Sequence, residues 1–569
     1  MAITILVITF VVLLMLNVPV AFSMGIAALL GLVVMGDIPP LINTAQQMAT
    51  GFDSFALLAI PFFILSGLFM GHGGIARRLI DFANVLVGGF RGGLAFVNIM
   101  TCMLFGSISG SATAAVSSIG GFMIPLMNKR GYPRDFNAAI SITGATTGLL
   151  IPPSNVMIVY SLASGGCSIA AIFIAGVVPG ILVGLALMVV AGILSAKHKY
   201  GSDDTYKITE IIIRIAGSFI GFVVPIALLV VRSKHSIPQA RVKELLQDAS
   251  LKAGLAAANR TFLICSLVIL AVIIAINLFM KLRGSSGDRR TIVTGLCCFV
   301  LPLLWFLKGS FAAVKMQADS LAVINAVIAG YVLLLIAAII IYGVKVSWKG
   351  FASFIHAIPA LLLIIIVLGG ILSGVFTATE ASAIAVVYAF VLSVFIYREV
   401  KINQLSKIIL QSAVTTAVVM MLIATSMAMS WVLAIENVPQ GVSEFLLGFT
   451  SNKFALLLII NMMLLIVGTF MDMTPAVLIF TPIFLPIVAK FGMNPLHFGI
   501  ILIMNLCIGL CTPPVGTCLF VGCGVAETTV TKVMRHIVPC FIAMIAVLFI
   551  CTYIPNFSLT LPRLFNLVK

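Results

Sequence analysis

The sequence predicts an all-α polytopic membrane protein of two inverted-topology repeats, each with a re-entrant hairpin and a broken helix. Three observations carry this. Hydrophobic residues make up 62% of the 569 positions, charged residues 9%, and mean hydropathy is +1.24. Soluble domains carry roughly 45–50% apolar and about 25% charged residues. Helix-breaking and polar residues also recur at a fixed long offset, and the basic residues place the two copies on opposite sides of a bilayer.

The recurrence comes first. At an offset of 361 positions Thr113 matches Thr474, Pro125 matches Pro486, Lys129 matches Lys490, Gly131 matches Gly492, Gly148 matches Gly509, Leu149 matches Leu510, and Pro152-Pro153 match Pro513-Pro514. With one residue of slip, Pro133/Pro495 and Phe136/Phe498 join them. Apolar sequence yields chance Leu or Ala matches easily; paired Pro-Pro, Gly and Lys in register mark a duplication. The first repeat covers 1–202, an inserted helical segment 203–350, and the second repeat 351–569.

Charge then orients each copy. The apolar stretch 92–127 is flanked by Arg77, Arg78, Arg91, Lys129, Arg130 and Arg134. Both its ends are cytoplasmic by the positive-inside rule, so it enters and leaves on one side as a hairpin with its tip at Gly106–Ser111. The copy at 454–489 has only Lys453 and Lys490 beside it, and its tip lies near Gly468–Thr474. One hairpin dips from inside and the other from outside, the inverted repeat of secondary transporters. The span count agrees. Three spans lead from an outside N-terminus to Arg77, a broken helix over about 136–163 runs outward, and the next returns to Lys197. In the second half, spans reach Arg398, Glu436 and, through a broken helix over about 497–523, Lys532; a last span covers 536–554.

Other classes drop out. The formal charge of +16 sits mostly between apolar runs, where membrane topology places it, which argues against nucleic-acid binding. No phosphate-binding G-x-x-x-x-G-K-[ST] loop and no C-x-x-C metal spacing occurs among the 11 cysteines. No catalytic dyad or metal cluster converges, so the chain does not read as an enzyme and needs no cofactor. The six histidines lie near the ends of apolar runs and read as interface residues.

Interrupted helices persist in lipid only where they line protein or a cavity. The segments 143–155 and 508–517 interrupt two spans with Pro-Pro. Proline removes an amide donor and clashes with the preceding turn, freeing carbonyls that can coordinate a dehydrated cation. Each break pairs with its own hairpin tip, giving two candidate cation sites. Hydroxyl and amide groups placed to face a solute are Ser111, Thr113, Asn155, Thr474 and Thr517, with Ser109 beside them. Half-helix N-termini at the tips suit an anion; small residues there equally suit close helix packing. Two acids stand out: Asp472 at the second tip, read as solute-binding, and Glu380 at the start of a span. Intramembrane acids are functional candidates, and both positions also fit helix caps.

These residues resemble the large membrane subunit of the tripartite ATP-independent periplasmic (TRAP) transporters. The resemblance rests on Leu58–Phe63, Gly106–Ala112, Ile151–Ser154, Ser373–Ala381, Met471–Pro475 and Thr512–Gly516, spread over 1–200 and 350–569. It implies an elevator-type, sodium-coupled importer of organic acids (dicarboxylates, sugar acids or sialic acid) in a bacterial inner membrane, with a soluble extracytoplasmic binding protein and a small four-helix membrane subunit. It also implies one Na⁺ site at Ser109, Gly148, Ile151 and Pro153, and a second at Gly468, Gly509, Thr512 and Val515, several through backbone carbonyls.

The departure from the family is 203–350, with about four apolar runs (211–231, 261–280, 291–307 and 319–344). Four helices would match the small subunit in size, so the segment either substitutes for it or is a decoration without a transport role. Its basic loop Arg232–Arg260 falls outside by this count, against the charge rule. A sodium:carboxylate carrier that needs no binding protein is the alternative reading.

Overall fold

The structure, a computed structural model, describes residues 2–200 and 348–568 apart from Asn17, Asp37, Ile38, Arg91, Ser373, Gly374, Ser451, Pro514, Val515 and Asn566. The segment expected as an insertion lies outside the described residues except at its last three positions, and so does the candidate ligand Val515.

Among the described residues the chain is helical, without strands. Before the gap come α1 (Ala2–Met15), α2 (Val20–Met35), α3 (Pro40–Phe52), α4 (Ala59–His72), α5 (Ile75–Val87), α6 (Gly93–Ser109), α7 (Ala112–Lys129), α8 (Arg134–Thr147), α9 (Asn155–Ala163) and α10 (Ile169–His198). After it come α11 (Trp348–Leu372), α12 (Ala378–Phe390), α13 (Ile402–Ile435), α14 (Val438–Phe449), α15 (Lys453–Phe470), α16 (Met473–Lys490), α17 (Pro495–Gly509), α18 (Thr517–Ala526), α19 (Val530–Tyr553) and α20 (Asn556–Leu564). Seven of the described helical segments are long and apolar enough to cross a membrane. The chain is a multi-pass membrane protein.

Two compact units are present. Met1–Ile80, Phe90–Asp203 and Ile366–Lys569 form one; Asp81–Gly89 and Asp204–Ile365 form the other. Every described candidate residue lies in the first.

The offset of 361 holds at the level of helices. Added to the bounds of α7 it gives 473–490, the bounds of α16. Added to the start of α8 it gives 495, the start of α17, and added to the start of α10 it gives 530, the start of α19. Contacts between the copies are reciprocal, as a two-fold relation requires. Helix α4 packs on α12 while α13 packs on α2, and α7 packs on α18 while α16 packs on α9.

Direction follows from the ends. At the start of α8, Arg134 Nη1 donates to the Glu527 carbonyl at 3.5 Å and Asp135 accepts from the Thr528 hydroxyl, both just beyond the end of α18. At the end of α9, Tyr160 Oη donates to the Pro495 carbonyl, the first residue of α17, at 2.6 Å. The two broken helices therefore run antiparallel.

Local sequence explains the ends. Gly110 closes α6 at φ +61°, donating to the Gly106 carbonyl at 2.8 Å, and Ser111 caps α7 by accepting from Ala114 N. Asn494 caps α17 and Asn452 caps α15 in the same way. Four helices escape a reading based on apolar runs: α3, α5, α14 and α20. Polar residues interrupt them; α5 buries Ile75, Leu79 and Ala83 while Arg77, Asp81 and Asn84 stay exposed. One expectation is corrected. His497 is not an interface residue: it is 2% exposed, with Nδ1 2.7 Å from Ser558 Oγ and Nε2 3.3 Å from the Thr552 carbonyl. Helix α20 folds back over α17, and that burial is invisible along the chain.

Candidate functional site: two broken helices crossed by two hairpin tips

The first break begins where α8 tightens. Gly148, Leu149 and Leu150 donate to the carbonyls of Ala145, Thr146 and Thr147, a narrower winding than the α-helix. No backbone N–H among the described residues donates to the carbonyls from Gly148 to Pro153. The neighbouring hydroxyls turn inward: Thr143 donates to the Ala139 carbonyl, Thr146 to Thr143 and Thr147 to Gly144. The oxygens left over at this break are therefore its carbonyls and the buried Ser154 hydroxyl.

The second break differs. The Gly509 carbonyl accepts from Thr512 N at 2.9 Å and from Thr512 Oγ1 at 2.7 Å, while the Thr512 carbonyl accepts from Gly516 N at 3.0 Å. Leu510, Cys511 and Pro513 keep carbonyls without a backbone donor among the described residues. The second break touches the first broken helix, the Cys511 thiol lying 3.7 Å from the Ile142 carbonyl.

Each hairpin crosses its own break on a pair of glycines. A Cβ on Gly106 would lie 2.7 Å from the Cα of Gly148, and one on Gly148 would lie 2.4 Å from the Cα of Gly106. In the second repeat a Cβ on Gly509 would lie 2.4 Å from the Gly468 carbonyl, and one on Gly468 would lie 3.2 Å from the Cα of Gly509. Backbones meet directly, which only glycine allows. Polar pairs brace the same helices further along. Asn98 donates to Ser141 at 2.7 Å between α6 and α8, and Asn505 donates to Asn461 at 2.7 Å between α15 and α17.

At the first tip, Ser109 is 3% exposed and its hydroxyl donates to the Ser111 carbonyl at 3.3 Å. Ser111 and Thr113 hydroxyls lie 3.1 Å apart. A Cβ on Gly110 would stand 3.2 Å from Asn155 Nδ2, so this tip rests on the start of α9. At the second tip, Asp472 is exposed at the N-terminus of α16 and makes no side-chain capping bond there.

The structure thus brings Ser109, Ser111, Thr113 and Asn155 together around one tip, with Gly148 at its crossing. It joins Gly468 to Gly509 and Thr512, while Asp472 stands at the start of α16 and Thr517 at the start of α18. Ile151 and Pro153 lie in the first break, and Thr474 stands in the first turn of α16. Glu380 stands apart from these residues. It forms a capping box, its Oε2 accepting from Thr377 N at 2.7 Å and from Thr377 Oγ1 at 2.9 Å. Sequence reasoning missed Ser154, which is fully buried with an unpartnered hydroxyl, and the role of Gly106 as a crossing point. A serine directly after Pro-Pro was the available signal for the first. Among the described residues no group of three or more His, Cys, Asp or Glu is placed to hold a metal.

Comparison with known proteins adds the context. A family model described as "Tripartite ATP-independent periplasmic transporter, DctM component" matches residues 7–274 and 293–557. An uncharacterised protein of Salmonella typhimurium, YgiK, is 38% identical, over 98% of this chain and 96% of its own. A C4-dicarboxylate TRAP transporter large permease of Pseudomonas aeruginosa is 33% identical, over 90% of this chain and 87% of its own. An isethionate TRAP transporter permease, DctMQ, of Oleidesulfovibrio alaskensis is 32% identical over 96% of this chain, which spans 64% of that longer protein.

Proposed function

We propose, because this chain belongs to the family of DctM components of tripartite ATP-independent periplasmic transporters, that it is the large permease subunit of a sodium-driven importer of organic acids. The observation that carries the reading is the antiparallel pair of broken helices, each crossed at glycine by its own hairpin. Such breaks set carbonyl oxygens and half-helix N-termini side by side in the protein interior, which suits a cation and an anion together.

In this reading Ser109 and the carbonyls of Gly148, Ile151 and Pro153 hold one Na⁺. Gly468, Gly509, Thr512 and Val515 hold the second. The solute, a C4-dicarboxylate, sugar acid or sialic acid, lies between the tips, delivered by an extracytoplasmic binding protein. A small four-helix membrane subunit, or the segment 203–350 in its place, completes the assembly in a bacterial inner membrane. Hairpins and broken helices move as one body against α1–α4, α12 and α13, in the manner of an elevator.

The energetics suffice without ATP. For two Na⁺ entering with one monoanion, an inward sodium gradient of about tenfold supplies about 2.8 kcal/mol. One net charge across about 100 mV adds about 2.3 kcal/mol. The sum of about 5 kcal/mol permits accumulation of roughly several thousand-fold.

The test is uptake of radiolabelled succinate, gluconate and N-acetylneuraminate into proteoliposomes, with and without an inward Na⁺ gradient and a candidate binding protein. Uptake that requires both supports the tripartite reading. Sodium-driven uptake without the binding protein moves the chain to the simpler symporter class. Uptake indifferent to sodium overturns the coupling.

A further inference from the structure

We propose that Arg78 pins the root of α5 to the end of α12 in a joint that stays closed throughout transport. Arg78 is then a positioning residue that sets how fast the carrier moves and not how tightly it binds. This rests on the transport reading above, in which α4 and α12 belong to the stationary wall and the first hairpin to the moving body.

The joint lies where α4 turns into α5, which the charge rule places on the cytoplasmic side. Beyond α12 the chain winds more widely over Val391–Ile396, and Tyr397 N donates to the Leu392 carbonyl, five residues back, at 2.7 Å. Such turns are rare and frequently mark functional positions. Ser393, fully buried, donates from its hydroxyl to the Phe69 carbonyl of α4 at 2.9 Å. Its own carbonyl accepts from Glu399 N at 3.1 Å and Val400 N at 3.3 Å. Gly73 lies so close that a Cβ on it would stand 2.6 Å from Ser393 Cβ. Arg398 takes a left-handed backbone, φ +56°, which is uncommon outside glycine.

Arg78, in the first turn of α5, closes the joint. Its Nη1 donates to the Gly74 carbonyl at 2.9 Å, and its Nη2 lies 3.7 Å from Glu399 Oε1. The guanidinium sits over the Tyr397 ring, 3.7 Å from the centroid. Gly74 has φ +69°, and a Cβ on it would lie 2.8 Å from Arg78 Nη1 and 3.0 Å from Glu399 Cδ. One planar cation thus holds the turn before α5 and the chain after α12 together. Each contact is weak alone; their shared geometry is one that only a planar, forked cation meets, and lysine does not. The second repeat has no copy of it, since adding 361 to Arg78 gives Pro439, at the start of α14.

The chain beyond α5 is built differently. Residues 88–93 read Gly-Gly-Phe-Arg-Gly-Gly, and a Cβ on Gly92 would lie 2.8 Å from Ser195 Cβ, so the foot of the first hairpin rests on α10. At the root the glycines make room for Ser393, Arg78 and Glu399, which fill it. The bending that a travelling hairpin demands therefore falls at 88–93, and the root holds the direction in which α5 leaves the wall.

Replacing the ionic pin by a covalent one is the decisive experiment. Arg78→Ala, Arg78→Lys and the pair Arg78→Cys/Glu399→Cys are compared with wild type in the full chain, with binding protein at saturation. The cysteine pair is assayed before and after a bifunctional methanethiosulfonate, and wild type treated alike controls for the native cysteines. Readouts are the maximal rate of sodium-driven uptake of succinate, gluconate and N-acetylneuraminate, and the Na⁺ concentration that half-completes the Na⁺-induced shift in thermal unfolding. R78A and R78K are expected to lose about tenfold in maximal rate, with the half-completing Na⁺ concentration unchanged within about twofold. The uncross-linked cysteine pair should be as slow as R78A, and cross-linking should restore at least about half of the lost rate. Cross-linking that abolishes uptake overturns the proposal, because the joint then opens during transport. A full rate in R78A also overturns it, as does a tenfold change in its half-completing Na⁺ concentration; all three leave the transport reading intact. If R78A aggregates, the cysteine pair alone decides. Failure of wild type to carry any of the acids under a sodium gradient brings down the transport reading and this proposal with it.

Discussion

Gly106 and Gly148 cross backbone to backbone, so that a Cβ on Gly148 would stand 2.4 Å from the Cα of Gly106. The contact fixes where the first hairpin meets the break after α8, and nothing flexible is present to give way. Gly148→Ala is expected to displace the tip and abolish sodium-driven uptake. Gly121→Ala, in the open second arm of the same hairpin where an added Cβ meets nothing within 4 Å, is the control. It should keep transport and gain up to about 1 kcal/mol of helix propensity. Uptake assays and thermal unfolding of both variants check this; an active G148A would show that the crossing is not needed.

The four crossing glycines should rank by approach. Added methyl groups at Gly148 and Gly509 would fall 2.4 Å from backbone atoms, at Gly106 2.7 Å and at Gly468 3.2 Å. Alanine at Gly468 is therefore expected to retain the most transport of the four, because a shift of a few tenths of an ångström relieves it. A flat response across the series would disconnect function from the crossings.

Ser109 and Thr512 should each affect sodium rather than solute. Ser109 is buried at the first tip, and Thr512 Oγ1 donates to the Gly509 carbonyl at 2.7 Å. S109A and T512V are each expected to raise the half-saturating Na⁺ concentration about tenfold. The slope of the sodium dependence should fall towards that of one ion. Measuring initial uptake against Na⁺ concentration decides; a change confined to one variant would leave a single coupling site.

Asn505 and Asn461 brace the second hairpin through a bond of 2.7 Å between residues at most 1% exposed. Asn461→Leu alone leaves the Asn505 amide only the Ile501 carbonyl as acceptor, at 2.9 Å, and should cost about 1–2 kcal/mol, since interhelical polar bonds in membranes reach roughly that value. N461L/N505L together should recover part of the loss. Thermal unfolding in detergent across this double-mutant cycle gives the coupling, and strict additivity would mean the bond contributes nothing.

Much of the fold was legible because membrane sequence states its constraints locally. Pro152-Pro153 and Pro513-Pro514 mark the breaks by chemistry alone: a residue without an N–H cannot continue the ladder. Glu380 is a counterexample. An acid in an apolar run signals function by its cost, yet Thr377 three residues earlier supplies a capping box that accounts for its placement. Gly106 was visible only as part of a motif, because a glycine's closeness to another helix leaves no trace in its own neighbourhood. His497 looked like a residue at a helix end and is instead buried beneath α20.

The sequence by itself determined the membrane class, the duplication at 361 and the position of both breaks. Each follows from composition, from identities in register or from the backbone chemistry of proline, which act over a few residues. The charge rule already set the broken helices in opposite directions; tertiary structure alone decided that they lie in contact and that glycines carry the crossings. It also decided that Asn155 meets the first tip. These are relations between segments brought together by packing, whose close-packed distances depend on every helix around them.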